Sequence, residues 1–237
     1  MLVVSPKNDL ERFVTGNIIN NRIRRSSVVE ILKKTGLNID NIIIEEKEQE
    51  LTEGCIEFLE RYVKTGVDNK RIYSIKNKGA LTTAKVDFVH KINGKNYSLP
   101  LEEQSQGTKH AYKLAGIMDL LVRESILMPI DQLESSLHTD LFIHFVLMHL
   151  VNSRNSQVIA TTHNREVLKN KDIFRNDAIW FTDKSDEGNT LVYSLDDFDS
   201  KTIRDTSSVY NAYSIGKLGG VPELGDYYLD FKFDGDE

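Results

Sequence analysis

An α/β architecture is predicted for most of this 237-residue chain, and three observations predict it. From about residue 100 onward, short apolar runs of strand length alternate with longer helical patterns. Ahead of them, "AKVDFVHKINGKNYSLPL" (Ala84–Leu101) alternates apolar and polar residues around Asn93-Gly94, a strong hairpin signal. Residues 1–80 are rich in charge and asparagine, with amphipathic helical patterning. The expected division is a helical arm over 1–83 and an α/β region over 84–237.

The elements follow in order. "SSVVEILKKTG" (Ser26–Gly36) reads as a helix with a serine cap, an early Glu30 and a glycine stop. "IDNIIIEE" reads as a short strand. "LTEGCIEFLERYVKTG" (Leu51–Gly66) places Cys55, Phe58, Leu59, Tyr62 and Val63 on one helical face. After the hairpin come "SQGTKHAYKLAGIMDLLVRES" as a helix, "ILMPID" as a buried strand and "LHTDLFIHFVLMHLVNS" as a helix. "SQVIATTH" (Ser156–His163) is a second buried strand, "DAIWFTD" and "NTLVYSLDDF" are two more, and "FKFDGDE" is an acidic end.

Composition narrows the function. The formal net charge is -6, so no global basic field points to nucleic acid. "NNRIRR" (Asn20–Arg25) is the one local candidate, read either as a basic patch or as a solvated helix end. Cys55 is the single cysteine, which excludes a disulfide framework and a thiolate metal cluster. The start turns polar after four residues and no run approaches the ~20 apolar residues of a membrane span, so a cytoplasmic protein with no membrane partner is expected. His144 and His149, five apart on an apolar helix, read as core or interface histidines rather than zinc ligands.

Ligands of open α/β sheets bind beyond the carboxyl ends of the strands. Two strands end in suitable polar residues, at Asp131-Gln132 and at Thr161-Thr162-His163. A third cluster, "EEQSQGTKH" (Glu102–His110), lies at a helix start, where free N–H groups and the dipole favour an anion. Each has a plainer reading: Ser105 or Thr108 capping a helix, Asp131 capping a turn, His163 as a structural histidine. Their order and spacing, about 25 and then 32 residues apart, fit one phosphoryl-transfer site.

These motifs together resemble the C-terminal half of an ABC-type ATPase head, in the branch of AAA-family ATP-binding proteins from bacterial restriction and phage-defence loci. Those proteins are similar to SMC-like heads and to the ATPase part of the overcoming-lysogenization-defect nucleases. "SQGTKHAYKLAGIMDLL" resembles the signature segment, "ILMPIDQLESSLH" the Walker B strand and D-loop, "VIATTHN" the switch-histidine strand, and "YNAYSIGKLGGVPEL" (Tyr210–Leu224) the Gly-Gly-Pro tail. The resemblance covers roughly residues 85–225 and implies a P-loop NTPase half-head that uses ATP and Mg²⁺. It implies that Asp131 holds the ion through water and that His163 contacts the γ-phosphate and the attacking water. Ser105, Gly107 and Thr108 would reach a partner's nucleotide across a head-to-head dimer, and Ser135, Ser136 and Leu137 would form the D-loop.

Two departures qualify the resemblance. No Gly-x-x-x-x-Gly-Lys-Ser/Thr loop occurs: "GNIINNR", "GVDNKR" and "KGALTTAK" each lack part of it. The expected partner is therefore a second copy or a polypeptide carrying the first half of the head, together with an effector protein. Gln132 stands where the family carries the catalytic glutamate, as an engineered trap or as a natural residue. It keeps hydrogen bonding but accepts no proton, and losing a general base costs ~10²–10⁴-fold. A non-hydrolysing protein or nucleic-acid scaffold with the same fold is the alternative.

Overall fold

The structure, a computed structural model, describes residues 4, 9–50, 72–77, 80–170, 172–199, 208–222 and 225–228. The helix expected over Leu51–Gly66 and the acidic end from residue 231 lie outside the described residues. Contacts divide the chain into two units, Met1–Asn164 and Arg165–Glu237. The boundary expected at 83/84 falls inside a strand of the first unit.

The first unit is built on a long central helix. Helix α1 (Leu10–Ile19) begins at Asp9, whose side chain accepts the Arg12 N–H, and it buries Leu10, Val14 and Ile18. Helix α2 (Arg25–Lys33) does not start on the expected serine cap. Its N-cap is Arg24, whose backbone N–H is accepted by the Asp119 carboxylate at 3.0 Å. A buried acid from another helix takes over the capping role. Gly36, at φ 73°, supplies the left-handed turn after the helix.

An antiparallel sheet follows. Strands β1 (Ile39–Glu50), β2 (Ile72–Asn77), β3 (Ala80–Ile92) and β4 (Lys95–Pro100) assemble with β3 between β1 and β2, and β4 also pairs with β3. The region read as a helical arm thus carries much of this sheet, and the strand read as short runs for 12 residues. The β3–β4 hairpin turns at Asn93 and Gly94, φ 50° and 77°, with Ile92 opposite Lys95. Two positive φ values are what a two-residue I′ turn requires.

Helix α3 (Gln106–Arg123) packs against α1, α2 and this sheet through Ala111, Tyr112, Ala115 and Leu120. Tyr112 meets Phe88 edge to face at 5.3 Å, and its buried hydroxyl lies 2.9 Å from Thr15 Oγ1. Thr15 already donates to the Glu11 carbonyl, so it accepts from the tyrosine. Burial pushes the Tyr112 phenol well above its ordinary value. Gly116 allows α1 and α3 to touch, since a Cβ there would lie 2.5 Å from both methyls of Val14.

Beyond α3 come β5 (Leu127–Ile130), α4 (Thr139–Asn152) and β6 (Gln157–Ala160). Strands β5 and β6 pair in parallel, and Val4 bridges Ile130, also in parallel, on the other side of β5. The expected strand–helix–strand unit is therefore present, but β6, expected as a buried strand, is exposed at Gln157, Ile159 and Ala160 and half-buried at Val158. The two later strands do not extend it: β7 (Trp180–Lys184) and β8 (Thr190–Ser194) form a separate antiparallel pair in the second unit. There Phe181 stacks on Tyr213 at 5.5 Å, with Tyr193 and Phe198 around them. Helix α5 (Val209–Ser214) precedes the double glycine of the tail. Tyr193 and Tyr213 donate to the carbonyls of Leu218 and Gly220, fixing that turn.

Candidate active site at the ends of the parallel strands

Asp131 follows β5 directly, and Thr161–His163 follow its parallel neighbour β6, so both clusters sit at the carboxyl end of one sheet. Thr161 ties them together. Its hydroxyl donates to Asp131 Oδ1 at 2.6 Å, a short charge-assisted bond, and accepts the Gln132 N–H at 2.9 Å. The carboxylate is exposed yet oriented. The Asp131 N–H donates to the Val4 carbonyl, so the acid is held from both sides of β5.

Gln132 adopts φ 52° and Ser136 φ 61°, left-handed conformations rarely taken by residues with such side chains. Between them the chain is pinned at several points. The Leu133 N–H donates to the Thr161 carbonyl, and the Leu133 carbonyl lies 3.1 Å from Nε2 of His110 on α3. Glu134 Oε1 accepts the His163 N–H at 2.8 Å, so the loop after β5 sets the backbone of the loop after β6. The other oxygen, Oε2, is buried without a hydrogen-bond partner among the described residues.

The helix-start cluster reaches the same loop. Ser105 is the N-cap of α3: its hydroxyl accepts the Thr108 N–H at 3.1 Å and shares a 2.9 Å bond with the Thr108 hydroxyl. A Cβ on Gly107 would stand 3.1 Å from the Ser136 carbonyl, so the lack of a side chain lets the helix start abut Ser136. His110 is 8% exposed, and burial lowers its pKa, which keeps the imidazole neutral near pH 7. A neutral ring with its proton on Nε2 donates to the Leu133 carbonyl.

The structure thus gathers Asp131, Gln132, Ser135, Ser136 and His163 with the Ser105–Thr108 helix start around the loop that follows β5. Three supporting residues escaped the sequence reading: Thr161 as the clamp on Asp131, Glu134 as the acceptor for His163, and His110 beneath the loop. Thr161 stood in the polar cluster already, but Glu134 and His110 act through backbone atoms, and residue type alone does not signal that. No group of three or more His, Cys, Asp or Glu able to hold a metal occurs among the described residues. None of their helices is long and apolar enough to cross a membrane. His144 and His149 sit apart on α4, each with one buried ring nitrogen that has no hydrogen-bond partner among the described residues.

Comparison with known proteins adds an independent finding. A family model described as "AAA domain, putative AbiEii toxin, Type IV TA system" matches residues 5–169. No curated protein matches the chain. Among solved structures, an SMC head bound to the C-winged helix domain of ScpA is similar at 14% identity and a TM-score of 0.45, over 81% of this chain. This chain covers 55% of that one, a little over half its length. A structure from work on ATP-driven dimerisation and DNA-stimulated activation of SMC ATPases is similar at 14% identity and a TM-score of 0.43, over 89% of this chain and 99% of that one.

Proposed function

The chain belongs to the family of AAA domains described as putative AbiEii toxin of type IV toxin–antitoxin systems, and from that premise we propose that it is a nucleotide-dependent, ABC-like ATPase module. It works in the cytoplasm through ATP-driven dimerisation and regulates a defence or restriction effector. The observation that carries this reading is the Thr161 clamp, which joins the acid after β5 to the polar cluster after β6 at one sheet end.

Asp131 fits a hydrated Mg²⁺: one exposed carboxylate, steered by Thr161, is the sparse protein ligation that magnesium accepts alongside water and phosphate. When bound, the ion neutralises charge on the β- and γ-phosphates. His163, exposed at the strand end with its backbone held by Glu134, contacts the γ-phosphate and the attacking water. Gln132 orients that water by hydrogen bonding and takes no proton, so turnover is slow. The α3 start meets the γ-phosphate held by the partner protomer through the Gly107 N–H and the hydroxyls of Ser105 and Thr108, the Thr108 N–H being taken by the Ser105 cap. The Ser136 carbonyl lies against Gly107 at that helix start, which supports a D-loop role for Ser135 and Ser136 linking the two sites.

The test is nucleotide affinity and turnover of the chain and of Gln132→Glu, each with and without a polypeptide supplying the glycine-rich phosphate loop. Binding of MgATP in the combined sample, with turnover raised ~10²–10⁴-fold in the glutamate variant, is expected. No MgATP binding in any combination overturns the reading. A scaffold without hydrolysis is the second reading, supported by Gln132 itself, and it predicts no gain of turnover in Gln132→Glu.

A further inference from the structure

The arginines of "NNRIRR" do not share one role. Arg22 pairs with Glu124, just past α3, at 3.3 Å, whereas Arg24 and Arg25 are exposed and make no ion pair among the described residues. Both line an open cleft of about 870 Å³ between the end of α1, α2 and β1. That volume falls within the ~300–1,000 Å³ of ligand-binding clefts. Ile19 closes it from α1, Val29 from α2 and Ile44 from β1, each half-buried, so the wall between them is apolar. The charges around it are uneven. Lys33 is taken by Asp40 at 2.9 Å and Glu30 by Lys34 at 3.4 Å, while Glu46 stands on the β1 side. The start of α2 is thus the basic end of the cleft, with two guanidinium groups left without a counter-charge among the described residues.

We propose that this cleft docks an acidic, apolar peptide segment of a partner protein, its carboxylates on Arg24 and Arg25 and its aliphatic side chains on Ile19, Val29 and Ile44. Charge complementarity selects this occupant. A guanidinium presents a planar fork that takes a carboxylate by two parallel bonds. The apolar wall beside it adds burial that a small carboxylate ion cannot use. Nucleic acid fits less well, because Asp40 and Glu46 would face its phosphates and no aromatic side chain among the described residues lines the cleft for base stacking. The place also matters. Asp119, near the end of α3, holds the Arg24 N–H, so the partner grips the far end of the helix whose start carries Ser105 and Gly107. The docking goes beyond the nucleotide reading and does not rest on it.

The test is fluorescence anisotropy on the whole chain, without nucleotide, at about 50 mM salt, where exposed charges are weakly screened. The probes are fluorescein-labelled decapeptides in which aspartate or glutamate alternates with leucine, isoleucine or phenylalanine. A lysine-for-acid version of each peptide and a labelled oligothymidylate serve as comparisons. Micromolar binding of at least one acidic peptide is expected. Its Kd should rise at least about tenfold in the double variant Arg24→Glu, Arg25→Glu, which sets like charges against each other. Glutamate in the first turn suits the helix dipole, so α2 persists in that variant, and unchanged circular dichroism checks this. Ile19→Gln, neutral and a good helix former, should weaken binding too, whereas a purely ionic contact would be indifferent to it. The proposal is overturned if no acidic peptide binds below about 100 μM, or if acidic peptides bind no better than their lysine versions. Indifference to the arginine variant or to Ile19→Gln also overturns it. Preferential binding of oligothymidylate, lost in the arginine variant, overturns it in favour of nucleic acid. With nucleotide absent throughout, failure here leaves the ATPase reading standing, and failure of MgATP binding elsewhere leaves this surface standing.

Discussion

Replacing Asp119 should unfasten α2 from α3, and the size of the effect follows from the carboxylate's partners. Asp119 is 3% exposed and accepts the Arg24 N–H at 3.0 Å, the Arg123 Nε–H at 3.1 Å and a further bond from Arg123 Nη2. Loss of the cap on α2 costs about 1 kcal/mol. Loss of the bonds to the guanidinium costs about 1–2 kcal/mol more, below the range for a fully buried pair because the Arg123 side chain is 26% exposed. Asp119→Ala should therefore destabilise the chain by about 2–3 kcal/mol in urea unfolding at pH 7 followed by far-ultraviolet circular dichroism. Asp119→Asn keeps the volume and the acceptor for Arg24, and should lose about half as much.

The same carboxylate makes a pH prediction. Burial raises its pKa, but Arg123, the Arg24 N–H and Ser27 together outweigh burial and hold it below the ordinary 3.8. A carboxyl depressed in the folded state contributes stability above its unfolded pKa, and that contribution is lost as pH falls through the folded value. Stability of the wild type should decline below about pH 3.8 more steeply than that of Asp119→Asn. Equal acid slopes in the two proteins, or a loss under 0.5 kcal/mol in Asp119→Ala at neutral pH, would refute the account of α2 as a helix capped from its neighbour.

Three other outcomes are expected. In the reconstituted protein, Thr161→Val should weaken Mg²⁺-dependent nucleotide binding about tenfold by titration calorimetry, since one charge-assisted bond is worth about 1.5–3 kcal/mol before discounting for exposure; Thr161→Ser should bind as the wild type does. Gly219→Ala should destabilise the second unit by about 2 kcal/mol in thermal unfolding, because φ is 66° and a Cβ would lie 2.2 Å from the Tyr193 hydroxyl; Tyr193→Phe in the same chain should recover part of the loss. Burial lowers the pKa of His110 and His149, so the unfolded state takes up their protons first and stability should fall as pH drops below 6.5; potentiometric or NMR titration of His110→Gln should show that step reduced.

The features legible in the sequence were those set by local pattern. Asn93-Gly94 dictates its hairpin because both turn residues need positive φ, and the 18-residue α3 announces itself by periodicity and a serine cap. What was not legible depended on distant partners. The α2 start reads as a serine cap in sequence because nothing local reveals that Asp119, 95 residues away from Arg24, supplies the acceptor. Strands β7 and β8 look like continuations of the parallel layer, since alternation alone cannot tell which sheet a strand joins. At the site, Asp131 and His163 stood out by type and spacing, whereas Glu134 serves through the His163 backbone and leaves no such mark.

The loop from Gln132 to Ser136 ties these points to chemistry. Left-handed φ at a residue with an ordinary side chain costs about 1–2 kcal/mol, and this loop carries the cost at both ends. It is offset by contacts from three directions: Thr161 holds the Gln132 amide, His110 meets the Leu133 carbonyl, and the Gly107 backbone abuts the Ser136 carbonyl. Anything that moves the start of α3 must therefore disturb Ser136 and Leu133, and through Leu133 the Thr161 carbonyl to which its amide donates. Thr161 in turn orients Asp131. A ligand bridging from a second protomer to Ser105 or Gly107 would thus be registered at the acid after β5 without a long path, since each step is a single hydrogen bond or van der Waals contact. Gln132 sits in the middle of that chain of contacts. Its backbone role there does not depend on the side chain, since Thr161 accepts the Gln132 N–H.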